Sequence, residues 1–141
     1  MPFNGSIEDR LAIRELYDSY TDAACRMDQA DWLACWSDDA AWWTHYFDVS
    51  GKETIAATYD ALMGNVETTS FIAQIGHCEI DGDRAVARAY AQERLVFKDG
   101  AGSHRLVGRY EDELVREQGR WRYARRTYKV MIEEMDGAPP Q

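Results

Sequence analysis

The residues that could do chemistry are concentrated first in RMDQADWLACWSDDAAWW, residues 26–43, where Asp28 and Asp31 stand among Trp32, Trp36, Trp42 and Trp43. A carboxylate enclosed by aromatic rings loses hydration of its charged form. Its pKa then rises toward the range in which it can take and return a proton. The same acid in a turn can instead cap a helix by accepting backbone N–H bonds. Both roles are open to Asp28. Tyr hydroxyls can donate to a developing oxyanion without a metal, and the chain has eight Tyr. Its three His (His45, His77, His104) and three Cys (Cys25, Cys35, Cys78) show neither CxxC nor a His/Cys ligand spacing. That pattern predicts no metal site, no cofactor and reduced packing thiols.

The whole composition narrows the partners. A length of 141 residues is enough for one domain with a real core, predicted over 1–141 with flexible ends at about 1–5 and 136–141. Sixteen basic against 25 acidic residues give a net charge of -9, which disfavours nucleic acid and anionic membranes. No apolar run approaches the roughly 20 residues of a membrane span. The opening MPFNGSIEDR lacks the charge and apolar pattern of a secretory signal, so a cytoplasmic location is predicted.

The elements that must position these residues are written in the periodicity. SIEDRLAIRELYDSYTDAACRMD reads as a long amphipathic helix, with Ser6 as N-cap and Ile7, Leu11, Ile13, Leu16, Tyr17, Tyr20, Ala24 and Met27 at helical spacing. QADWLACWSDD reads as a short second helix capped by Asp28 or Gln29, and AAWWTHYF as a strand ended by DVSGK. KETIAATYDALMGN is a third helix stopped at Gly64-Asn65. Four strand-like runs follow, TTSFIAQIGHCEI, RAVARAYAQERLVF, SHRLVGRYEDELVRE and RWRYARRTYKVMIEE, separated by the turn signals DGD, KDGAG and EQG. Helices first and an antiparallel meander afterwards predict an α+β domain.

This element order resembles the nuclear transport factor 2-like (cystatin-like) cone, three helices packed on a strongly curved, mostly antiparallel sheet. DRLAIRELYDSYTDAACRMDQADWLACWSDDA, EIDGDRAVARAY and GRYEDELVREQGRWRYARRT resemble the SnoaL-like branch of that superfamily, which includes polyketide cyclases, scytalone dehydratase and a dehydrochlorinase. The last segment is also similar to β subunits of ring-hydroxylating dioxygenases. The resemblance implies a catalytic carboxylate at Asp28, from the pattern Asp28-Gln29-Ala30-Asp31-Trp32, with Asp31 as the outward, turn-stabilising acid. The family's partner His falls on Ser70, a supporting Tyr or Lys would fall near Ala23, and a family Arg matches Arg126.

Strand alternation extended from those positions predicts the remaining pocket. Ser70, Ile72 and Gln74 face inward with Ala89, Ala91, Glu93 and Leu95, with Leu106, Gly108 and Tyr110, with Arg126, Tyr128 and Val130, and with Trp42, Thr44 and Tyr46. Asp28, Arg126, Tyr46 and Glu93 are the catalytic candidates. Tyr20, Trp42, Thr44, Ser70, Ile72, Ala91, Leu95, Tyr110 and Tyr128 are the substrate-binding candidates. Structural readings stand beside these: Glu93 pairs with Arg126 as a buried ion pair, and Glu111, Asp112 and Glu113 pair with Arg120, Arg122, Arg125 and Lys129 on the outer face. His45 and His104 are read as weak candidates for a catalytic base, and His77 as a wall or interface residue.

The function expected is a cofactor-independent lyase or isomerase acting on a small aromatic or polycyclic molecule. The alternative is a non-catalytic ligand-binding cone or a dioxygenase β-like subunit. A homo-oligomer, dimer or trimer, is expected through the outer sheet face near Trp43 and Tyr90.

Overall fold

The computed structural model describes residues 2–137. Its elements are α1 (Ile7–Arg26), α2 (Gln29–Leu33), β1 (Trp36–Thr44), β2 (Phe47–Ser50), α3 (Lys52–Met63), β3 (Val66–Asp81), β4 (Arg84–Phe97), β5 (Ser103–Glu117) and β6 (Arg120–Asp136). The six strands form one sheet in the order β2-β1-β6-β5-β4-β3. Only β1 and β6 run parallel. The fold is therefore the expected α+β arrangement of three helices on a mostly antiparallel sheet, with bulges in β3 and β6 that add bend.

Local chemistry fixes the ends of α1. Ser6 Oγ accepts from the Asp9 amide at 3.0 Å, and Met27 turns into the left-handed region at φ 56°, which stops the helix. Its buried face is Ile13, Leu16, Tyr17, Tyr20 and Ala23, whereas Ile7 and Leu11 are exposed. The spacing therefore gives the right stripe only from Ile13 onward; the first turn meets the sheet through Asp9, which accepts from Arg116 of β5 and Trp121 of β6.

Three boundaries differ from the sequence expectation. The second helix ends at Leu33, and β1 already starts at Trp36. Pairing of Trp36 with Tyr123 on β6 takes precedence over local helix propensity there. DVS is part of a strand, since β2 folds back on β1 across His45 and Tyr46. Residues 2–4, expected to be flexible, are tied to the edge strand: Cys78 N donates to Pro2 O at 2.8 Å and Ile80 N to Asn4 Oδ1 at 2.6 Å. They shield otherwise open backbone groups of β3. Asp136 ends β6, and residues 138–141 of the expected flexible tail lie outside the described residues.

The inner face of the sheet is a stack of cross-strand rows read β4–β5–β6. From the end covered by α1 these are Ala85–Leu114–Tyr123, Ala87–Asp112–Arg126, Ala89–Tyr110–Tyr128 and Ala91–Gly108–Val130. Then come Glu93–Leu106–Glu133 and Leu95–His104–Met135. The alanines leave room for the large rings of the neighbouring strands. Gly108 is required by Tyr128: a Cβ at that position would stand 2.5 Å from the phenol ring. One extra residue, Met131, separates Val130 from Ile132 in the ladder. It restores Glu133 and Met135 to the inner face.

Candidate active site

The wide end of the cone holds a cavity of about 560 Å³. Its walls come from every layer: Tyr20 and Ala24 of α1, Trp32 of α2, Trp42 and Thr44 of β1, and Tyr59 and Leu62 of α3. The sheet contributes Thr69 and Phe71, Glu93 and Leu95, His104, Leu106 and Tyr110, and Tyr128 and Met135. Aromatic rings of this surface pack against one another at tilted angles. Trp32 lies 4.6 Å from Tyr59 and Tyr110 lies 4.6 Å from Tyr128, centroid to centroid. The lining is therefore suited to flat apolar molecules.

Glu93 is the carboxylate inside this space. It has no hydrogen bond or ion pair among the described residues and is half-buried, its remaining exposure being to the cavity that it lines. Burial alone lifts its pKa from 4.5 to about 7. The expected partner, Arg126, is elsewhere. Asp112 stands six positions along β5 from Leu106, the residue opposite Glu93, which is about 20 Å of extended strand.

Arg126 is fully buried and closed off from the cavity. It donates from Nε to Asp112 Oδ1 at 2.9 Å and from Nη2 to Asp112 Oδ2 at 3.0 Å. Tyr17 donates its hydroxyl to the same carboxylate. The guanidinium carbon lies 3.7 Å from the Tyr110 ring centroid, 4.1 Å from Tyr123, 4.6 Å from Tyr20 and 5.3 Å from Tyr17. Tyr20 and Tyr110 thus stand between it and the cavity. Burial opposes both charges. It raises the Asp112 carboxyl; on Arg126 burial is the largest influence, yet Asp112 together with Tyr123, Tyr20 and Tyr110 more than offsets it and pushes that group well above its ordinary value. The geometry decides between these opposing tendencies: three donors aimed at two carboxylate oxygens define an ionised pair. Asp112 had been expected on the outer face, but inward alternation from Tyr110 carries it into the core.

Asp28 does not enter the cavity. Its Oδ1 accepts from the Asp31 amide at 3.0 Å as the N-cap of α2, and Oδ2 accepts from Arg26 at 3.1 Å. With the side chain 39% exposed, the backbone bond from Asp31 and then Arg26 hold its pKa below the ordinary value. Such a group is a poor base. Asp31 is the outward acid, accepting from Arg26 at 2.8 Å.

Ser70 and Ile72 also face out, Ile72 being 66% exposed. The inward row on β3 is Thr69, Phe71 and Ala73, because Phe71 packs against Tyr20 and Tyr110. The parity taken from Ser70 was therefore one residue off, which reverses every side chain of that stretch. Ala91 is buried under the wall and does not line it. Of the remaining candidates, Tyr20, Trp42, Thr44, Tyr46, Glu93, Leu95, Tyr110 and Tyr128 line the cavity.

Two lining or adjoining groups escaped the sequence. His104 is buried and inward, with Nε2 at 2.8 Å from Glu133 Oε2, and Tyr46 donates its hydroxyl to the same oxygen. Alternation back from Leu106 could have found His104. Glu133 was hidden by the bulge at Met131, which no residue type announces. Among the described residues, no cluster of His, Cys, Asp or Glu could hold a metal ion. No helix is long and apolar enough to cross a membrane.

The cone is shared with solved structures. A candidate aromatic ring hydroxylase from Novosphingobium aromaticivorans superposes with a TM-score of 0.87 at 26% identity, over 94% of this chain and 96% of the other. A candidate scytalone dehydratase from the same organism gives 0.85 at 16% identity, over 94% and 91%. A hexachlorocyclohexane dehydrochlorinase gives 0.82 at 18%, over 95% of each. No curated protein matches the sequence. Residues 5–127 match the SnoaL-like domain, and with most of its length inside that match the chain belongs to the SnoaL-like domain family.

Proposed function

We propose that the chain is a cofactor-independent lyase or isomerase that moves a proton on a small aromatic or polycyclic molecule held in the cone. The observation that carries this reading is Glu93, a carboxylate with a pKa near 7 and no protein partner among the described residues, in a cavity walled by aromatic rings. A solvated or ion-paired acid would be useless there. One poised near neutrality can both take and return a proton.

As the carboxylate, Glu93 removes a proton from a carbon next to a carbonyl, and the electron pair moves onto the carbonyl oxygen. The Tyr110 and Tyr128 hydroxyls stand on the same inner face to donate to that oxygen. Return of the proton to another carbon gives isomerisation. Expulsion of a neighbouring hydroxide or halide gives elimination. Solved neighbours described as a dehydratase and a dehydrochlorinase support elimination as one outcome. The base in this reading is Glu93 rather than Asp28, and Arg126 supports the wall instead of touching substrate.

The test needs only a carbon acid that fits. The protein is mixed with 2-tetralone in deuterium oxide, and loss of the α-proton signals is followed by NMR. Acceleration by the unmodified protein and by Asp28→Asn, but not by Glu93→Gln, is expected. Loss with Asp28→Asn and retention with Glu93→Gln would overturn the assignment. A second reading, a non-catalytic subunit of a ring hydroxylase, is favoured by the 26% identity to the ring-hydroxylase structure. It predicts no exchange above buffer and stable co-purification with an oxygenase chain.

A further inference from the structure

We infer that His104, Glu133 and Tyr46 form a second polar station in the same cavity, and that the two stations select an uncharged fused-ring ligand with a hydroxyl at its mouth end. The inference rests on the cavity being the ligand site, as in the preceding reading, and goes beyond it by fixing the ligand's polarity and charge.

The register sets the spacing. Glu93, Leu106 and Glu133 lie in one row across three adjacent strands, so the two acids stand about 9–10 Å apart at the backbone. His104 is in the next row, a diagonal neighbour of Glu93 about 7–8 Å away between Cα atoms. It lies toward the opening, where Tyr46 and Met135 are about half exposed.

The bonding of the second station places the proton it shares. Glu133 Oε2 accepts from the Tyr46 hydroxyl and stands 2.8 Å from His104 Nε2, and Oε1 is 3.6 Å from His45 Nε2. The hydrogen bond from Tyr46, followed by that from His104, holds the Glu133 pKa below its ordinary value. An ionised Glu133 can only accept, so the proton between it and His104 sits on Nε2. Nδ1 of His104 has no hydrogen bond among the described residues. It accepts in the neutral ring and donates in the imidazolium, and a ligand hydroxyl, being both donor and acceptor, meets either form. Glu93 offers a second hydrogen-bonding point deeper in the cavity.

Charge completes the selection. None of the cavity-lining residues is Lys or Arg, and Arg126 is spent on Asp112 behind the tyrosine wall. A carboxylate or phosphate on the ligand would face Glu93 with no Lys or Arg to pair with, and Glu133 already occupies His104.

The experiment compares naphthalene, 2-naphthol and 2,6-dihydroxynaphthalene by quenching of tryptophan fluorescence, since Trp32 and Trp42 line the cavity. Each hydroxyl is expected to tighten binding about three- to tenfold. His104→Phe should erase one of those steps, making the diol bind like 2-naphthol, while naphthalene still binds. Glu133→Gln should weaken the same step by freeing the His104 tautomer. 6-Hydroxy-2-naphthoate should bind at least about tenfold more weakly than the diol.

Equal affinities for the three neutral rings, or a full diol advantage surviving in His104→Phe, would overturn the two-station inference while leaving the cavity intact. Failure of naphthalene itself to bind would overturn the cavity reading beneath it. The ratio between ligands within one variant is insensitive to a general loss of folding, so a merely structural role for His104 cannot mimic the expected result.

Discussion

Two carboxylates on the inner face of the same sheet have opposite surroundings. Asp112, at the end covered by α1, receives two bonds from Arg126 and one from Tyr17. Glu93, at the wide end, receives none among the described residues and faces open space. Burial presses on both. At Asp112 the chain answers it with a counter-ion and donors, which makes a structural node. At Glu93 the cost is left in place, and an acid with a raised pKa is the result. Unsatisfied burial beside a cavity, rather than burial itself, separates a candidate catalytic acid from a core ion pair.

The contrast can be broken at either end. Asp112→Ala leaves a fully buried guanidinium unpaired and is expected to cost about 3–5 kcal/mol in urea unfolding. The double replacement Asp112→Leu with Arg126→Met should recover most of that loss; if it does not, the pair contributes more than mutual neutralisation. Glu93→Gln is expected to slow 2-tetralone exchange by about a hundredfold or more without lowering stability at neutral pH.

The pH dependence follows from the same acid. The folded state holds the Glu93 proton to about pH 7, whereas the unfolded chain releases it near 4.5. Between these values the folded state binds more protons, so this group's contribution to stability falls as pH rises from about 4.5 to 7 and is flat above. Unfolding curves of Glu93→Gln should lack that decline. An identical decline in the variant would assign it to another group.

Smaller effects are expected at two positions that border the comparison. Gly108→Ala places a methyl group against the Tyr128 phenol, which must swing into the cavity. A loss of about 1–3 kcal/mol and severalfold weaker naphthalene binding are expected. Asp28→Asn should keep exchange within about twofold and lower the thermal midpoint only slightly, because an amide oxygen can still cap α2. A large loss of exchange there would return the catalytic role to Asp28.

Much of the architecture was legible in the sequence because it follows from periodicity and turn chemistry. The three helices, the four long strands and the inward parity of Glu93, Tyr110 and Tyr128 all rest on local pattern. The site was legible only where parity runs unbroken. Ser70 and Ile72 were placed inside by a motif position, yet the bulk of Phe71 decides which face of β3 turns in. Asp28 fits the family's pattern of residue types, but a cap bond to Asp31 and a neighbouring Arg26 hold it at the surface. Arg126 was assigned to the right face and the wrong partner, since six positions along β5 are invisible without the register.

The extra residue at Met131 makes the mouth of the cone addressable by register as well as by side-chain type. Deleting Met131 would only remove the bulge, leaving Ile132 opposite Val107 and Glu133 opposite Leu106. Drawing Met131 into the ladder opposite Val107 would instead move the end of β6 by one position, turning Ile132 and Glu134 inward and Glu133 and Met135 outward. Glu93 and the Asp112–Arg126 pair would keep their places. A one-position slip of the strand end would therefore replace the ligand-reading edge of the cavity in a single step, leaving its chemistry-bearing acid untouched.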